Sequence, residues 1–420
     1  MKKVLIITYH FPPKPGIAPI RPAGLAKYLP EYGWEPIILT SLLSVRPETP
    51  FKIIETLPFF PERLKNRPEF KTRQKELSSP PLTSQVLLSL PELFPFPTNK
   101  IGWKICGLYA ARNAVKKEKI DAVISIFKPA TSHFIAAALK KEFPNLFWIA
   151  DFRDLWTQNH AYNRRGLRRF LERKQEAKTL QNADVLTTVS APWAQKLKDR
   201  HQKPSFAIPN GFDLSEWYTQ PFRPTGRFVI SYTGGIYFGK KAQDAIPFLN
   251  ALKSLINEDL MKNNEVTVNF YGDRKVRLDA TIKKMGLEKI VVQHGFIPRK
   301  EVLEKQRQSQ LLLLLDWNDP RESGVCPGKL YEYLAARRPI LSVGGYNGVV
   351  KDILEETNAG FYCRTEAEIK TVLLQSYREF KEKGSVSYQG KEEAIMRYSH
   401  RVMAKKFAEI LNKGRESEPI

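Results

Sequence analysis

Two successive α/β domains, each a parallel sheet covered by helices, are what this sequence predicts. Three observations predict it. Short apolar runs recur along the chain, most of them ending in glycine or polar residues, with amphipathic stretches between them. Strand alternating with helix is the pattern of a parallel sheet covered on both faces. The pattern also restarts after a turn-rich segment at residues 216–226, and 420 residues is the length of two or three domains.

The first series comprises residues 4–8, 37–40, 122–125, 147–151, 185–190 and 206–210. Residues 21–32 and 101–117 are two of the amphipathic stretches between them. In the second series 228–233 leads into Gly234-Gly235, and 266–271 into Gly272-Asp273. Residues 290–293 lead into His294-Gly295, 311–315 into Asp316, and 339–343 into Gly344-Gly345. The expected division is a domain at 1–215, a domain at 216–397, and a C-terminal helix within 398–420 that packs back on the first domain. Residues 45–100 break the pattern, being long, proline-dotted and mixed in charge; they form a lid or a membrane-facing insertion. Both domains are therefore expected to be Rossmann-like, with ligands beyond the carboxyl ends of the strands.

Composition narrows the class. The 42% apolar content suits a globular chain, and no apolar run approaches the ~20 residues that span a bilayer. Met1-Lys2-Lys3 runs straight into an apolar strand without a small-residue cleavage site, so the start reads as structure and not as a signal peptide. Cys106, Cys326 and Cys363 are widely spaced, which points to a reducing, cytoplasmic setting and away from a metal cluster. No cofactor is expected.

The net charge of +23 suits nucleic acid, an anionic membrane or a phosphorylated substrate. Its densest basic stretches are residues 63–75 and the group Arg164-Arg165, Arg168-Arg169, Arg173-Lys174. The second group recurs at helical spacing beside Leu167, Phe170 and Leu171, which makes a basic face on an amphipathic helix; a merely solvated face fits it equally. No nucleic-acid-binding signature accompanies either stretch. The apolar residues within 82–96 favour an anionic membrane surface instead, peripheral on the inner face of the cell membrane.

Several segments carry candidate chemistry. Pro327-Gly328-Lys329-Leu330-Tyr331-Glu332 opens a helix after the loop Asp316-Trp317-Asn318-Asp319. Free amides of a first helical turn, approached closely at Gly324 and Gly328, make an anion site with Lys329 and Leu330 in the turn itself. Glu332 shares the Lys329 face, three residues on, where a carboxylate accepts from a vicinal diol. A nucleotide diphosphate with its ribose matches that pair; an ordinary surface ion pair matches it too. Gly234-Gly235 with Lys240-Lys241 suits a diphosphate through amides and point charges, although the spacing is not that of a Walker loop. The stiff loop Phe11-Pro12-Pro13-Lys14-Pro15-Gly16, followed by Arg21, offers a close backbone approach at Gly16 and a phosphate-holding guanidinium, or simply a rigid turn. There is no G-x-G-x-x-G after this strand, which disfavours a dinucleotide dehydrogenase.

Asp151-Phe152-Arg153-Asp154 puts two carboxylates and a guanidinium at a strand end, as a buried ion pair or as the orienters of an attacking hydroxyl. His133 follows a strand and its loop, as a catalytic group or as packing. His294 is expected near a nucleotide base.

These motifs, in order, resemble the family 4 glycosyltransferases, retaining enzymes of the GT-B fold that use nucleotide sugars. The resemblance spans nearly the whole chain. It is carried by residues 9–16 with Arg21, "LAKYLPEYGWEPIILT", "IADFRDLW", "ADVLTTVSAPWAQKL", "IPNGFD", "YTGGIYFGKK", "NFYGD", "QHGFIPRKEV" and "PGKLYEYLAARRPIL". It implies two Rossmann-like domains with parallel sheets facing across a cleft. The donor would be held mainly by the C-terminal domain, and a saccharide or lipid-linked acceptor mainly by the N-terminal one. Glu332 matches the second glutamate of the family's E-x7-E motif, which contacts the ribose. Lys240 or Lys241 matches the basic residue on the diphosphate, and Gly16 the glycine facing the phosphates and sugar. No metal is implied, because lysines and helix amides neutralise the leaving diphosphate.

Two departures stand out. The first motif glutamate falls at Gly324, with Glu322 two residues earlier, and the family's "HD" is Arg153-Asp154. The resemblance therefore keeps Asp154 and Arg153 as catalytic candidates, in a subgroup acting on surface-polysaccharide precursors; His133 joins them only from its place after a strand and loop. A nucleotide-sugar epimerase of the same fold and a non-catalytic basic scaffold are the alternatives.

Overall fold

The computed structural model describes residues 1–57, 100–159, 166–217, 225–236 and 243–414. The basic stretch at 63–75, the apolar residues of 82–96, Arg164-Arg165, Lys240 and Lys241 lie outside them. The chain divides into two compact units, Met1–Asn210 with His400–Ile420, and Gly211–Ser399. The breaks fall at 210/211 and 399/400, where the sequence put them at 215/216 and 397/398.

Unit 1 runs β1 (Lys2–Ile7), α1 (Ile20–Tyr28), β2 (Trp34–Ser41), β3 (Lys52–Thr56), α2 (Trp103–Glu118), β4 (Ala122–Phe127) and α3 (Thr131–Glu142). β5 (Phe147–Phe152), α4 (Gly166–Leu180), β6 (Val185–Thr188), α5 (Ala191–His201) and β7 (Ser205–Ala207) follow. The seven strands form one parallel sheet in the order β3-β2-β1-β4-β5-β6-β7. β4 and β5 are buried at every position, which is why they read as continuous apolar runs and not as alternating ones. β3 was hidden in the anomalous 45–100 segment. Its Lys52-Ile53-Ile54-Glu55-Thr56 is an edge strand, and an edge takes charge that an inner strand cannot.

Unit 2 runs β8 (Phe228–Thr233), α6 (Ile246–Asn257), β9 (Val266–Tyr271), α7 (Val276–Met285), β10 (Val291–Gly295), α8 (Arg299–Gln308) and β11 (Leu311–Leu315). Next come α9 (Gly328–Ala336), β12 (Ile340–Val343), α10 (Val349–Thr357), β13 (Gly360–Cys363), α11 (Glu366–Lys383) and α12 (Glu392–Met396). Its parallel sheet has the order β10-β9-β8-β11-β12-β13. Only Cys363 of β13 is buried, and the strand is four residues long, too short a run to stand out in the sequence. α11 starts at a reciprocal cap, Thr365 with Glu368, that ties down two otherwise free amides.

Each sheet reverses its direction of winding once, between β1 and β4 in unit 1 and between β8 and β11 in unit 2. Crevices open where neighbouring connections leave in opposite directions. Both points fall next to segments singled out in the sequence: residues 9–16 and 128–133 in one unit, Gly234 and the Asp316–Glu332 stretch in the other.

The last helix, α13 (His400–Lys413), belongs to unit 1. Its Met403, Phe407 and Leu411 join the apolar cluster of Val4, Leu25 and Ile149. At this packing lies Arg21, 2% exposed. Its Nε and Nη2 donate to the two oxygens of Asp151 at 2.8 and 2.9 Å, and Nη1 donates to the Pro209 carbonyl at 3.0 Å. The guanidinium also lies 5.3 Å from the centre of the Phe407 ring. Asp151 takes a third hydrogen bond from Thr187 Oγ1 at 2.8 Å. Arg21 is thus neither a phosphate holder nor a solvated side chain, because its fork is consumed inside the unit. One ion pair ties α1, β5, β6, the end of the β7 loop and α13.

Breaking a buried pair leaves an uncompensated charge. Asp151→Asn or Arg21→Ala is therefore expected to lower stability by about 3–5 kcal/mol, read as a fall in the urea midpoint. Arg21→Lys, which cannot reproduce the fork, is expected to recover little of it.

Candidate functional site

The described candidates converge best at the winding reversal of unit 2. β8 ends at Thr233, and Gly234 then turns with φ +99°, a left-handed conformation that favours glycine. The Gly234 amide donates to the Tyr271 carbonyl at 2.7 Å. Gly272, with φ +147°, lies so close that a Cβ there would overlap the Gly234 carbonyl. Two glycines therefore let the ends of β8 and β9 nearly touch, and the next backbone layer can come up beneath them.

That layer is α9. Pro327 is its N-cap, in extended conformation with φ −61° and ψ 132°. The Lys329 side chain passes under the Gly234 turn: a Cβ on Gly234 would lie 3.3 Å from Nζ. Nζ sits 3.6 Å from the centre of the Tyr232 ring. It is shut off from solvent and has no hydrogen-bond partner among the described residues. Burial pulls its pKa down to about 7, and Glu332 opposes that shift. An ammonium in such a place lacks the acceptors it would have in water.

Glu332 is held in place one turn later. Arg299 Nη1 donates to its Oε1 at 2.6 Å, and Gln306 Nε2 to its Oε2 at 3.3 Å. Arg299 also donates to Glu216 at 2.7 Å. Burial works against the Arg299 charge, but Glu332 and Glu216 outweigh it and raise its pKa. Gln306 donates to Thr233 Oγ1 at 2.9 Å, and the Thr233 amide donates to Tyr333 Oη at 2.9 Å. A carboxylate has about four lone-pair directions, so Glu332 keeps capacity for a ligand hydroxyl.

His294, at the end of β10, stacks on Tyr271 with centroids 4.7 Å apart, and its Nε2 lies 2.7 Å from Asn269 Oδ1. Burial, then Lys305, lowers its pKa. Glu322 is the buried residue of a turn that Asp319 caps, and it lines a small cavity with Asp316, Trp317, Ser323 and Tyr346. Its amide donates to the Asp319 carbonyl, while Gly324 is buried beside it. Leu330 is fully buried in the core, so only its backbone can face a ligand. Gly235 follows Gly234 with open space at its Cβ position.

In unit 1 the candidates separate. Gly16 turns with φ +96° into open space. His133 is fully buried between Phe127 and Phe152, with Nδ1 2.7 Å from Ser125 Oγ. Burial alone drives its pKa down to about 3. It is a neutral core histidine, because the first turn of α3 faces β4 and not solvent. Asp154 pairs with Lys128 at 3.4 Å, and Arg153 makes no hydrogen bond among the described residues. Burial lowers the Arg153 pKa against the pull of Asp154 and Asp151.

Sequence reasoning passed over His10 and Lys14. Lys14 donates to the Tyr9 carbonyl at 2.9 Å, and its pKa falls to about 8 by burial, with Lys100 adding to the fall and Glu55 resisting it. His10 falls to about 4 through burial and then through Lys14, Arg153 and Lys100. Their loop is therefore electropositive. In unit 2 the overlooked residues are Arg299, Gln306, Tyr232 and Asp316, whose carboxyl burial pushes up to about 7 against the Trp317 amide. Arg299 and Tyr232 lie within quoted motifs and Asp316 in the loop before α9, but nothing in the sequence marked them out for a site; Gln306 lies in no motif, and the fold recruits all four.

The geometry so far defines a class: a two-unit α/β protein with a desolvated lysine and a carboxylate held by Arg299 and Gln306 at the winding reversal of its second sheet. Comparison with known proteins narrows it. Residues 23–216 match the family model described as Glycosyltransferase Family 4, which bears out the resemblance carried by the motifs. Sucrose-phosphate synthase from Thermosynechococcus elongatus is similar in structure at 14% identity, with both chains covered in full and a TM-score of 0.64. HepE of Anabaena, solved with UDP and glucose, is similar at 12% identity over 98% of this chain and 100% of that chain, with a TM-score of 0.62. WaaG, a glycosyltransferase involved in lipopolysaccharide biosynthesis, is similar at 15% identity over 98% of this chain and 97% of that chain, with a TM-score of 0.56. No curated protein matches by sequence. At these identities the structures show the fold, GT-B, and the family match supports glycosyl transfer as the general activity.

The Lys329 environment gives a pH signature. Its folded-state pKa lies near 7 and its ordinary value at 10.5, so between them the unfolded chain holds the extra proton. Stability then rises with pH across that window. Urea midpoints at pH 7, 8 and 9 are expected to climb less steeply in Lys329→Met than in the natural chain, and the variant is expected to be the more stable of the two at pH 7.

Proposed function

We propose that this chain is a retaining, metal-independent hexosyltransferase that moves a sugar from a nucleotide-diphosphate donor to a saccharide or lipid-linked saccharide. The observation that carries the reading is Lys329, a buried amine without a hydrogen-bond partner among the described residues, directly beneath the Gly234 turn. A diphosphate oxygen would supply the acceptor that Nζ lacks. The first-turn amides of α9 would hold the same group, and together they would neutralise the charge that develops as it leaves. Glu332, oriented by Arg299 and Gln306, would accept from the ribose diol.

In this proposal unit 2 holds the donor and unit 1 the acceptor. Attack on the face from which the diphosphate departs would retain the anomeric configuration, with the leaving phosphate taking the acceptor's proton. Lys240 and Lys241 would reinforce the diphosphate contact, as the resemblance implies. No base is assigned: His133 is walled into the core, and Asp154 already faces Lys128. A role in surface-polysaccharide assembly, on the cytoplasmic face of a membrane, belongs to the same proposal. Among the described residues, no helix is long and apolar enough to cross a bilayer.

Calorimetric titration with UDP, GDP, ADP and CMP tests this. One of them is expected to bind, and Glu332→Gln to weaken it about tenfold or more, the cost of a hydrogen bond to a charged group. Slow hydrolysis of the matching nucleotide sugar without acceptor would then separate an enzyme from a non-catalytic scaffold. Failure of all four nucleotides to bind would contradict the assignment.

A further inference from the structure

We propose that the outward face of α4 is a docking surface for an anionic lipid bilayer. A helix on a soluble domain normally buries its apolar side chains and shows its charges to water. α4 is built the other way round. Leu167, Phe170 and Leu171 are 73%, 51% and 45% exposed, whereas Glu172 and Glu176 are fully buried. The three apolar residues are spaced i, i+3 and i+4, so they lie along one stripe.

Each buried glutamate has a partner within the unit. Glu176 accepts from the Thr157 amide at 3.2 Å and from the Thr157 hydroxyl, with Arg200 and His201 close by at 3.9 and 3.4 Å. Glu172 lies 3.4 Å from Arg168 Nε. Turning both carboxylates inward leaves the outer face with cations as its only charged groups: Arg168, Arg173, Lys174 and Lys178 are exposed. Lys174 Nζ lies 4.6 Å from the centre of the Phe170 ring, so charge and apolar surface are side by side.

That combination chooses a lipid surface. The apolar stripe is three side chains wide, enough to enter the headgroup boundary, and the ring of cations matches anionic headgroups while their stems lie along the apolar boundary. Nucleic acid would use the cations and leave the stripe in water. A helix that merely faced solvent would show its glutamates. The inference does not rest on the donor site, and vesicle binding is read without any nucleotide.

Co-sedimentation with phosphatidylcholine vesicles, with and without phosphatidylglycerol, tests it at low and high salt. The natural chain is expected to bind the phosphatidylglycerol vesicles alone, and less at high salt. Phe170→Ser with Leu171→Ser, and separately Arg173→Glu with Lys174→Glu, are each expected to reduce binding at least about tenfold. All four positions are exposed, and unchanged thermal midpoints would show that the variants fold. No binding by the natural chain, or equal binding by the variants, overturns the proposal. Loss in the charge variant alone, with the serine variant unaffected, overturns it too, and displacement by RNA would then point to nucleic acid.

Discussion

The unit 2 site depends on one close approach. The Gly234 carbonyl occupies the space that a Gly272 side chain would need, so the ends of β8 and β9 come together as bare backbone. Because they do, the Lys329 side chain can lie under the turn and against Tyr232, away from water. The rest follows in sequence. Thr233 is fixed by Tyr333, Gln306 by Thr233, and Glu332 by Gln306 and Arg299. A side chain at either glycine would push this layer outward, and the cation and the carboxylate would lose their common frame.

Unit 1 rests on a different interaction. The Arg21–Asp151 pair is buried and hydrogen-bonded at both carboxylate oxygens, and with Met403 and Phe407 against the guanidinium it brings α1, β5 and the C-terminal helix α13 together. Such a pair adds little net stability over apolar packing, yet it costs much to break, so it acts more as a specifier of arrangement than as a source of energy. It also explains why Asp151 and Asp154, so close in sequence, differ in role: one faces the core, the other faces Lys128 at the surface.

The fold was legible where physics is local. Inner strands such as β4, β5 and β11 are buried on both sides and had to be apolar runs, and the glycines after β8 and β9 marked their ends. The edge strands β3 and β13 were not legible, because an edge tolerates Lys52, Glu55 or an exposed Phe361. Among the site residues, Lys329 and Glu332 could be read from a helix start and a three-residue spacing. Arg299, Gln306 and Tyr232 could not, since only the sheet order brings α8 and β8 beside α9. Arg21 and His133 were misjudged for a related reason: a polar residue near a strand end looks the same in sequence whether it points at a ligand or into the core. For α4 the periodicity was readable, but which stripe faces outward was not.

In the proposed function Lys329 supplies a cation which a diphosphate completes. The most direct test is proton uptake during binding, from calorimetric titrations of the recognised nucleoside diphosphate at pH 8 in buffers of different ionisation enthalpy. An amine with a pKa near 7 is largely neutral at that pH and must charge when an anion arrives. Uptake approaching one proton per nucleotide is expected in the natural chain and almost none in Lys329→Met. Tight binding with no uptake, or the same uptake in the variant, would contradict it.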